Sequence, residues 1–280
     1  MMWRMAWFVA LVAASAAAVL VWAMTPAAGG RAEGKLLADL VYATSGGQEL
    51  RADVCLPPGK GPFPAIVCLH GGGWTSGNRK DFSQTLAVLA RRGFVAVAPQ
   101  VRLAPQAQLP AMLDDAHAAI EWARQHPGFQ VDPGRLALLG RSTGGHLALL
   151  MAARNPDRYR AVAAFSAPVD LSSPEMHTPE IIRNNLAPLL GGPPAEKQDE
   201  CREASPLSYN LKGYPPVFLA HGSEDRLVPL SQVQAFKKKA GEAGSTVKLL
   251  VLEGEGHAWR GVNLLRAIDQ MLTFLDEALK

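Results

Sequence analysis

The chain has 280 residues, enough for one large α/β domain with a substantial core and short for two. Hydrophobic residues make up 48% and charged residues 19%, a globular balance tilted slightly apolar by the first thirty positions. The net charge of +3 comes from 28 basic and 25 acidic side chains spread along the chain, with no basic stripe or acidic tail, which argues against a nucleic-acid or polyanion partner.

Residues 5–30 carry no charged side chain, and Met5 to Met24 is a near-continuous run of Ala, Val, Leu, Trp, Phe and Met preceded by Arg4. A short basic start followed by about twenty apolar residues reads as a signal peptide or a single N-terminal membrane anchor. A buried amphipathic helix would need a polar face, and this run has none. No Cys stands near its end, which excludes a lipoprotein anchor. Arg4 on the near side keeps the N-terminus in the cytoplasm. The remaining domain, residues 31–280, is then expected to be exported, either periplasmic or extracellular, or anchored in the membrane by the N-terminal segment.

From about residue 36 strand and helix patterns alternate, the mark of a mostly parallel sheet with helices on both faces. Eight strands are expected: Leu36–Ala43, Leu50–Cys55, Ala65–Leu69, Phe94–Ala98, Arg135–Leu139, Ala161–Phe165, Val217–Ala220 and Val247–Leu252. The later ones are short and apolar throughout, as parallel strands buried on both faces should be. Ser45-Gly46-Gly47 between the first two reads as a hairpin turn at an antiparallel edge. Helices are expected over Asp81–Arg92, Pro110–Gln125, Thr143–Arg154, Leu230–Ala243 and Gly261–Leu279. Asp81 reads as an N-cap, and Gly93 as the stop of that helix. The alternation breaks between Leu171 and Tyr214, a stretch holding six prolines and a short helical piece around Glu180–Leu190. A long insertion of this kind reads as a small cap, a lid or substrate wall.

Cys55, Cys68 and Cys201 allow at most one disulfide, and the first two fall in strand-like runs where a thiol packs as a small hydrophobe. No CxxC or His/Cys spacing points to a metal.

Gly140-Arg141-Ser142-Thr143-Gly144 follows the strand Leu136–Leu139 directly and opens a helix. Such a strand-to-helix turn forces the middle residue into a strained backbone and requires flanking residues without side chains. The serine hydroxyl then stands exposed beside the free N–H groups of a helix N-terminus, which suits a nucleophile facing a developing oxyanion. His70-Gly71-Gly72-Gly73-Trp74 follows another strand and offers backbone N–H groups that a substrate oxygen can approach without steric obstruction.

A serine nucleophile needs a base. Of seven histidines, His146 lies inside the elbow helix, His117 and His126 on a distant helix, and His177 in the insertion. His70 and His221 begin loops at strand ends, where hydrogen bonds to loop backbone are the natural role. Elimination leaves His257, just past the last strand. The base needs an acid to orient it. Asp225, after the penultimate strand, gives the chain order Ser142, Asp225, His257, which the fold uses. Glu224 competes for that role, and Asp170 does so more weakly.

These residues resemble the α/β-hydrolase superfamily, and within it the hormone-sensitive-lipase-like esterases and the xylan-debranching acetyl and feruloyl esterases. The resemblance covers about residues 36–280. It rests on His70–Trp74, Arg102-Leu103-Ala104-Pro105, Asp114-Asp115 with Trp122, Gly140–Leu147, Ala204-Ser205-Pro206, His221–Pro229 and Gly256-His257. It implies hydrolysis of carboxylic esters through an acyl-enzyme with no cofactor and no metal. It also implies an oxyanion hole formed by Gly72, Gly73 and Thr143. Three positions depart from the relatives' pattern. Thr143 replaces the usual alanine, and its β-branched side chain narrows the pocket. Arg141 precedes the nucleophile, and its charge must find a partner or solvent. Gln100-Val101 stands where a tyrosine often precedes the Arg-Leu-Ala-Pro motif.

The expected function is that of a serine carboxylesterase acting on short-chain esters, with acetyl or feruloyl esters of carbohydrates suggested by the resemblance. An amidase, formamidase or peptidase could use the same three residues. A non-catalytic binding protein would need a broken triad or glycine loop, and the sequence shows neither.

Overall fold

A computed structural model describes residues 33–280 of the chain. The expected signal or anchor segment lies outside the described residues. Eight strands form one sheet: β1 Lys35–Ser45, β2 Gln48–Leu56, β3 Phe63–Leu69, β4 Val95–Pro99, β5 Val131–Arg141, β6 Ala161–Phe165, β7 Val217–Gly222 and β8 Val247–Leu252. Their spatial order is β1-β2-β4-β3-β5-β6-β7-β8. β1 pairs antiparallel with β2, and β2 antiparallel with β4; every later pairing is parallel. With helices on both faces, this order is the α/β-hydrolase architecture.

Five long helices flank the sheet: α1 Ser83–Arg91, α2 Leu109–Gln125, α3 Thr143–Arg154, α4 Leu230–Glu242 and α5 Gly261–Leu279. Alternate residues of a strand point to opposite faces, so each central strand feeds two cores. Val67, Leu138 and Leu219 face the layer of α2, α3 and α4, against Met112, Ile120, Leu150 and Phe236. Cys68, Leu139 and Ala220 face α1 and α5, against Leu86, Leu89, Leu272 and Leu275. Each fully buried Leu or Phe contributes about 1.5–3 kcal/mol. All three cysteines are buried and free.

All eight expected strands form, and the edge hairpin turns on Gly46 and Gly47, both at positive φ (58° and 77°). The start of the first long helix differs from expectation. Asn78, not Asp81, is the N-cap, and it caps the short 3-10 turn Arg79–Phe82. Its side chain accepts the Lys80 N–H at 2.9 Å, while Asp81 reaches back to the Asn78 N–H at 3.4 Å. Asp81 is thus the third helical residue of a capping box, and α1 begins only at Ser83. Gly93, at φ 91°, ends the helix as expected.

The stretch 171–214 is more ordered than an irregular insertion. It holds helical pieces across 179–190, including the π-helical turn Ile182–Leu186, and the helix Gln198–Glu203. Ile181, Leu186, Leu189 and Leu190 join the core below. Both of its ends are tied down by polar contacts. The Leu171 N–H donates to Ser205 Oγ at 2.8 Å, and the Tyr214 hydroxyl donates to the Leu149 carbonyl at 2.7 Å. Among the described residues no helix is long and apolar enough to cross a membrane.

Candidate active site

The turn between β5 and α3 carries Ser142 at φ 51°, ψ −121°, a conformation strained for any residue with a side chain. Two contacts explain why the flanks are glycine. A Cβ on Gly140 would lie 2.2 Å from the Gly144 carbonyl oxygen, and one on Gly144 would lie 2.0 Å from that of Leu69. Helix and sheet therefore close on each other only without those side chains. The Ser142 N–H donates to the Phe165 carbonyl at 2.7 Å, which fixes the turn to β6.

Loops after β7 and β8 bring two more expected residues to the same place. His257 Nε2 lies 2.9 Å from Ser142 Oγ, and His257 Nδ1 lies 2.8 Å from Asp225 Oδ2. Asp225 is buried, and its other oxygen accepts the backbone N–H groups of Leu227 and Val228, both at 2.9 Å. Burial alone would raise its pKa. The hydrogen bonds from His221 and His257, the field of His257 and the Val228 N–H outweigh that, and hold the carboxyl well below the usual range. It stays ionised. Glu224 is exposed, and Asp170 turns to the Ser172 N–H and Ser205 Oγ, so neither competitor reaches His257.

The glycine loop after β3 lies against the elbow: a Cβ on Gly71 would stand 2.9 Å from the Arg141 carbonyl oxygen. Gly72 and Gly73 sit at φ 127° and 65°. The loop's carbonyls are engaged. Gly71 O accepts from His70 Nδ1 at 2.9 Å, Gly72 O from the Ser76 N–H and hydroxyl at 2.9 and 2.7 Å, and Gly73 O from Asn185 Nδ2 at 3.1 Å. Thr143 opens α3, where the first N–H groups have no intrahelical partner. The glycine loop and the elbow therefore meet at Gly71, whose added Cβ would also lie 3.2 Å from Ser142 Cβ.

Three other histidines, His70, His146 and His221, hold loop backbone. His221 Nε2 contacts the Val228 carbonyl at 2.8 Å and lies 3.4 Å from Asp225 Oδ2, so two imidazoles flank one carboxylate. His70 Nε2 accepts from the Gln100 side-chain amide at 3.1 Å; desolvation lowers the His70 pKa, consistent with a neutral ring. His146 is buried between Trp74 Nε1 at 3.2 Å and the Ala204 carbonyl at 2.7 Å.

Other quoted motifs prove to be scaffolding. Arg102 grips Asp115 through Nε and Nη2 at 2.7–3.1 Å, and the Ala104 N–H donates to the Trp74 carbonyl at 2.9 Å. One contributor escaped sequence reasoning. The Ser166 hydroxyl donates to the His257 carbonyl at 3.1 Å from a residue at φ 48°, directly after β6. Its position at the C-terminal end of a buried strand was the available signal.

The family model BD-FAE matches residues 52–240, from β2 into α4. The chain belongs to the BD-FAE family. Among curated proteins this BD-FAE chain is similar to Esterase LipQ of Mycobacterium tuberculosis, 27% identical over 232 residues, which are 76% of this chain and 55% of LipQ. It is similar also to Esterase LipC of the same organism, 29% identical over 215 residues, 71% of this chain and 53% of LipC. The chain spans about half the length of these curated relatives. Among solved structures, the thermophilic esterase Est2 of the Planctomycetes species Thermogutta terrifontis matches with a TM-score of 0.71 at 26% identity, over 87% of this chain and 92% of that one. Its butyrate-bound form gives 0.69 at 29% over the same shares. A truncated carbohydrate esterase from gut microbiota shares the fold, with a TM-score of 0.76 at 24% identity over 89% of this chain and 99% of that one.

Proposed function

We propose that this BD-FAE chain is a serine carboxylesterase that hydrolyses short-chain carboxylic esters through an acyl-enzyme. The observation that carries the reading is the line from Ser142 Oγ through both His257 nitrogens to Asp225, at 2.9 and 2.8 Å, on a strained turn facing a glycine loop.

In this reading His257 takes the Ser142 proton as Oγ attacks the ester carbonyl. The N–H groups of Gly72, Gly73 and Thr143 hold the oxyanion. Thr143 opens α3, where the first N–H groups lack intrahelical partners, which supports its availability. Asp225 keeps the His257 tautomer that accepts at Nε2 and stabilises the imidazolium. His257 then protonates the leaving alcohol, and water reverses the sequence to free Ser142. No cofactor or metal enters these steps.

A narrow cleft beside Thr143 has apolar walls from Trp74, Val101, Leu103, Met112 and Leu147 and a polar side from His70 and Ser76, which favours a short acyl group. The butyrate-bound form of the similar Est2 supports the same size. Kinship with xylan-debranching esterases makes acetyl or feruloyl esters of carbohydrates the natural substrates to try first. The apolar run of residues 5–30 supports an exported enzyme, periplasmic or extracellular, with that segment either removed as a signal or retained as a membrane anchor.

Hydrolysis of p-nitrophenyl esters from acetate to palmitate by the full chain tests the reading. Turnover should peak at acetate or butyrate and fall steeply with longer chains. A p-nitroanilide cleaved faster than every ester would make the protein an amidase. No turnover of any ester by folded protein would end the esterase reading.

A further inference from the structure

Arg141, directly before the nucleophile, is exposed at the C-terminal end of β5. Its strand parity places it on the sheet face of Ala137 and Leu139, the α1 and α5 side. Three neighbours share that row. His70 and Gln100 lie two residues past Cys68 and Ala98 of the same face, and Phe165 pairs with Arg141 in the sheet register. The apolar walls of the cleft, Trp74, Val101, Met112 and Leu147, belong to the opposite core, while His70 borders the cleft from this row. The serine thus has an apolar wall on one side and a polar shelf with one cation on the other.

That cation has no hydrogen bond or ion pair among the described residues, unlike Arg79 and Arg102 nearby. Arg79 is held by Asp53 and Asp39, and Arg102 by Asp115. Among the described residues the carboxylate whose field reaches Arg141 is Asp81, which is engaged in the capping box before α1. His70, next in the row, uses both ring nitrogens within the protein and offers no negative charge. Desolvation by its surroundings lowers the Arg141 pKa. A guanidinium always carries its charge, and its fork of N–H donors matches a carboxylate. An unpaired cation directly before the reacting serine in the chain is a site in want of an anion.

We propose that Arg141 is a specificity residue that binds a carboxylate on the alcohol half of the ester substrate. The assignment rests on the esterase reading above. With the acyl group in the apolar cleft, the alcohol half leaves toward the opposite face, where Arg141 stands. A carboxylate there completes the ion pair that the fold leaves open.

The test compares two butyrate esters of matched size, 3-carboxyphenyl butyrate and its neutral analogue 3-carbamoylphenyl butyrate. The wild-type chain should favour the anionic ester in kcat/KM by on the order of ten- to a hundredfold, the range of a charge-assisted hydrogen bond. Arg141→Gln should bring the ratio close to one, and Arg141→Lys should keep part of it. As a readout free of variants, 3-hydroxybenzoate should inhibit the wild-type enzyme more strongly than 3-hydroxybenzamide. A wild-type ratio near one, or a ratio unchanged in Arg141→Gln, would overturn the proposal. A preference instead for an acyl-side carboxylate, p-nitrophenyl hemiglutarate over p-nitrophenyl butyrate, would overturn the assignment to the alcohol half. Failure to hydrolyse either butyrate ester would refute the esterase reading itself, a result distinct from neutral hydrolysis without charge preference.

Discussion

Trp74 and His146 tie the two loops of the candidate site together: the indole N–H at the end of the glycine loop donates to Nδ1 of a histidine one turn into the elbow helix, at 3.2 Å. His146 Nε2 in turn donates to the Ala204 carbonyl at 2.7 Å, so the insertion joins the same chain of bonds. The glycine loop, the serine turn and the insertion therefore share one buried imidazole, edge-on to the Trp74 ring at 5.2 Å between centroids.

Burial pulls the His146 pKa from 6.5 down to about 4, against a smaller raising effect of the Ala204 carbonyl. A folded-state pKa below the unfolded one means that protons bind the unfolded chain first. The stability this provides is full above about pH 6.5 and is lost as pH falls toward about 4. Thermal unfolding followed across that window should show a falling Tm. His146→Ala should cost on the order of 3 kcal/mol at pH 7, because Trp74 and Ala204 lose buried partners. Its Tm should depend less on pH than that of the wild type; an unchanged slope would contradict this role.

Asp225→Asn keeps an oxygen for the Leu227 and Val228 N–H groups and should fold normally. It places an amide against His257 and favours the tautomer whose Nε2 carries a proton toward Ser142. The expected loss in kcat on p-nitrophenyl butyrate is on the order of 10⁴-fold with little change in Tm. A loss of tenfold or less would show that Asp225 does not orient the base.

The two loop glycines should respond differently to a methyl group. A Cβ on Gly72 would meet the Ser76 carbonyl oxygen at 2.2 Å, at a φ of 127° that side chains avoid. Gly72→Ala should lower both Tm and activity, with no simple rescue. A Cβ on Gly73 would meet Asn185 Nδ2 at 2.1 Å, but at a φ of 65° that alanine tolerates at about 1–2 kcal/mol. Gly73→Ala should therefore lose activity that Asn185→Ala partly restores. A double-mutant cycle in kcat and Tm checks this, and strict additivity would contradict the contact.

Much of this arrangement was legible in the sequence. Period-two and short apolar runs placed all eight strands, because strands buried on both faces leave little room for polar residues. The meeting of Ser142, His257 and Asp225 was legible because each follows a strand at the end where a parallel sheet exposes its loops. The sharing of Asp225 between His221 and His257, the Ser166 bond to the His257 carbonyl and the His146 bridge were not. Those contacts join residues 4, 91, 72 and 58 positions apart through side-chain rotamers that no periodicity encodes. The capping error has a similar origin. Both Asn78 and Asp81 can cap, and only the 3-10 turn between them decides which one does.

The central claim is that Ser142 is the nucleophile. A fluorophosphonate reagent carries the mark of a covalent attack by an activated serine. Intact mass of the treated full-length chain should show one adduct, peptide mapping should place it on Ser142, and p-nitrophenyl butyrate hydrolysis should fall in step with labelling. Ser142→Ala should take up no label and hydrolyse nothing above background. An adduct on another residue, or ordinary turnover by Ser142→Ala, would contradict the account.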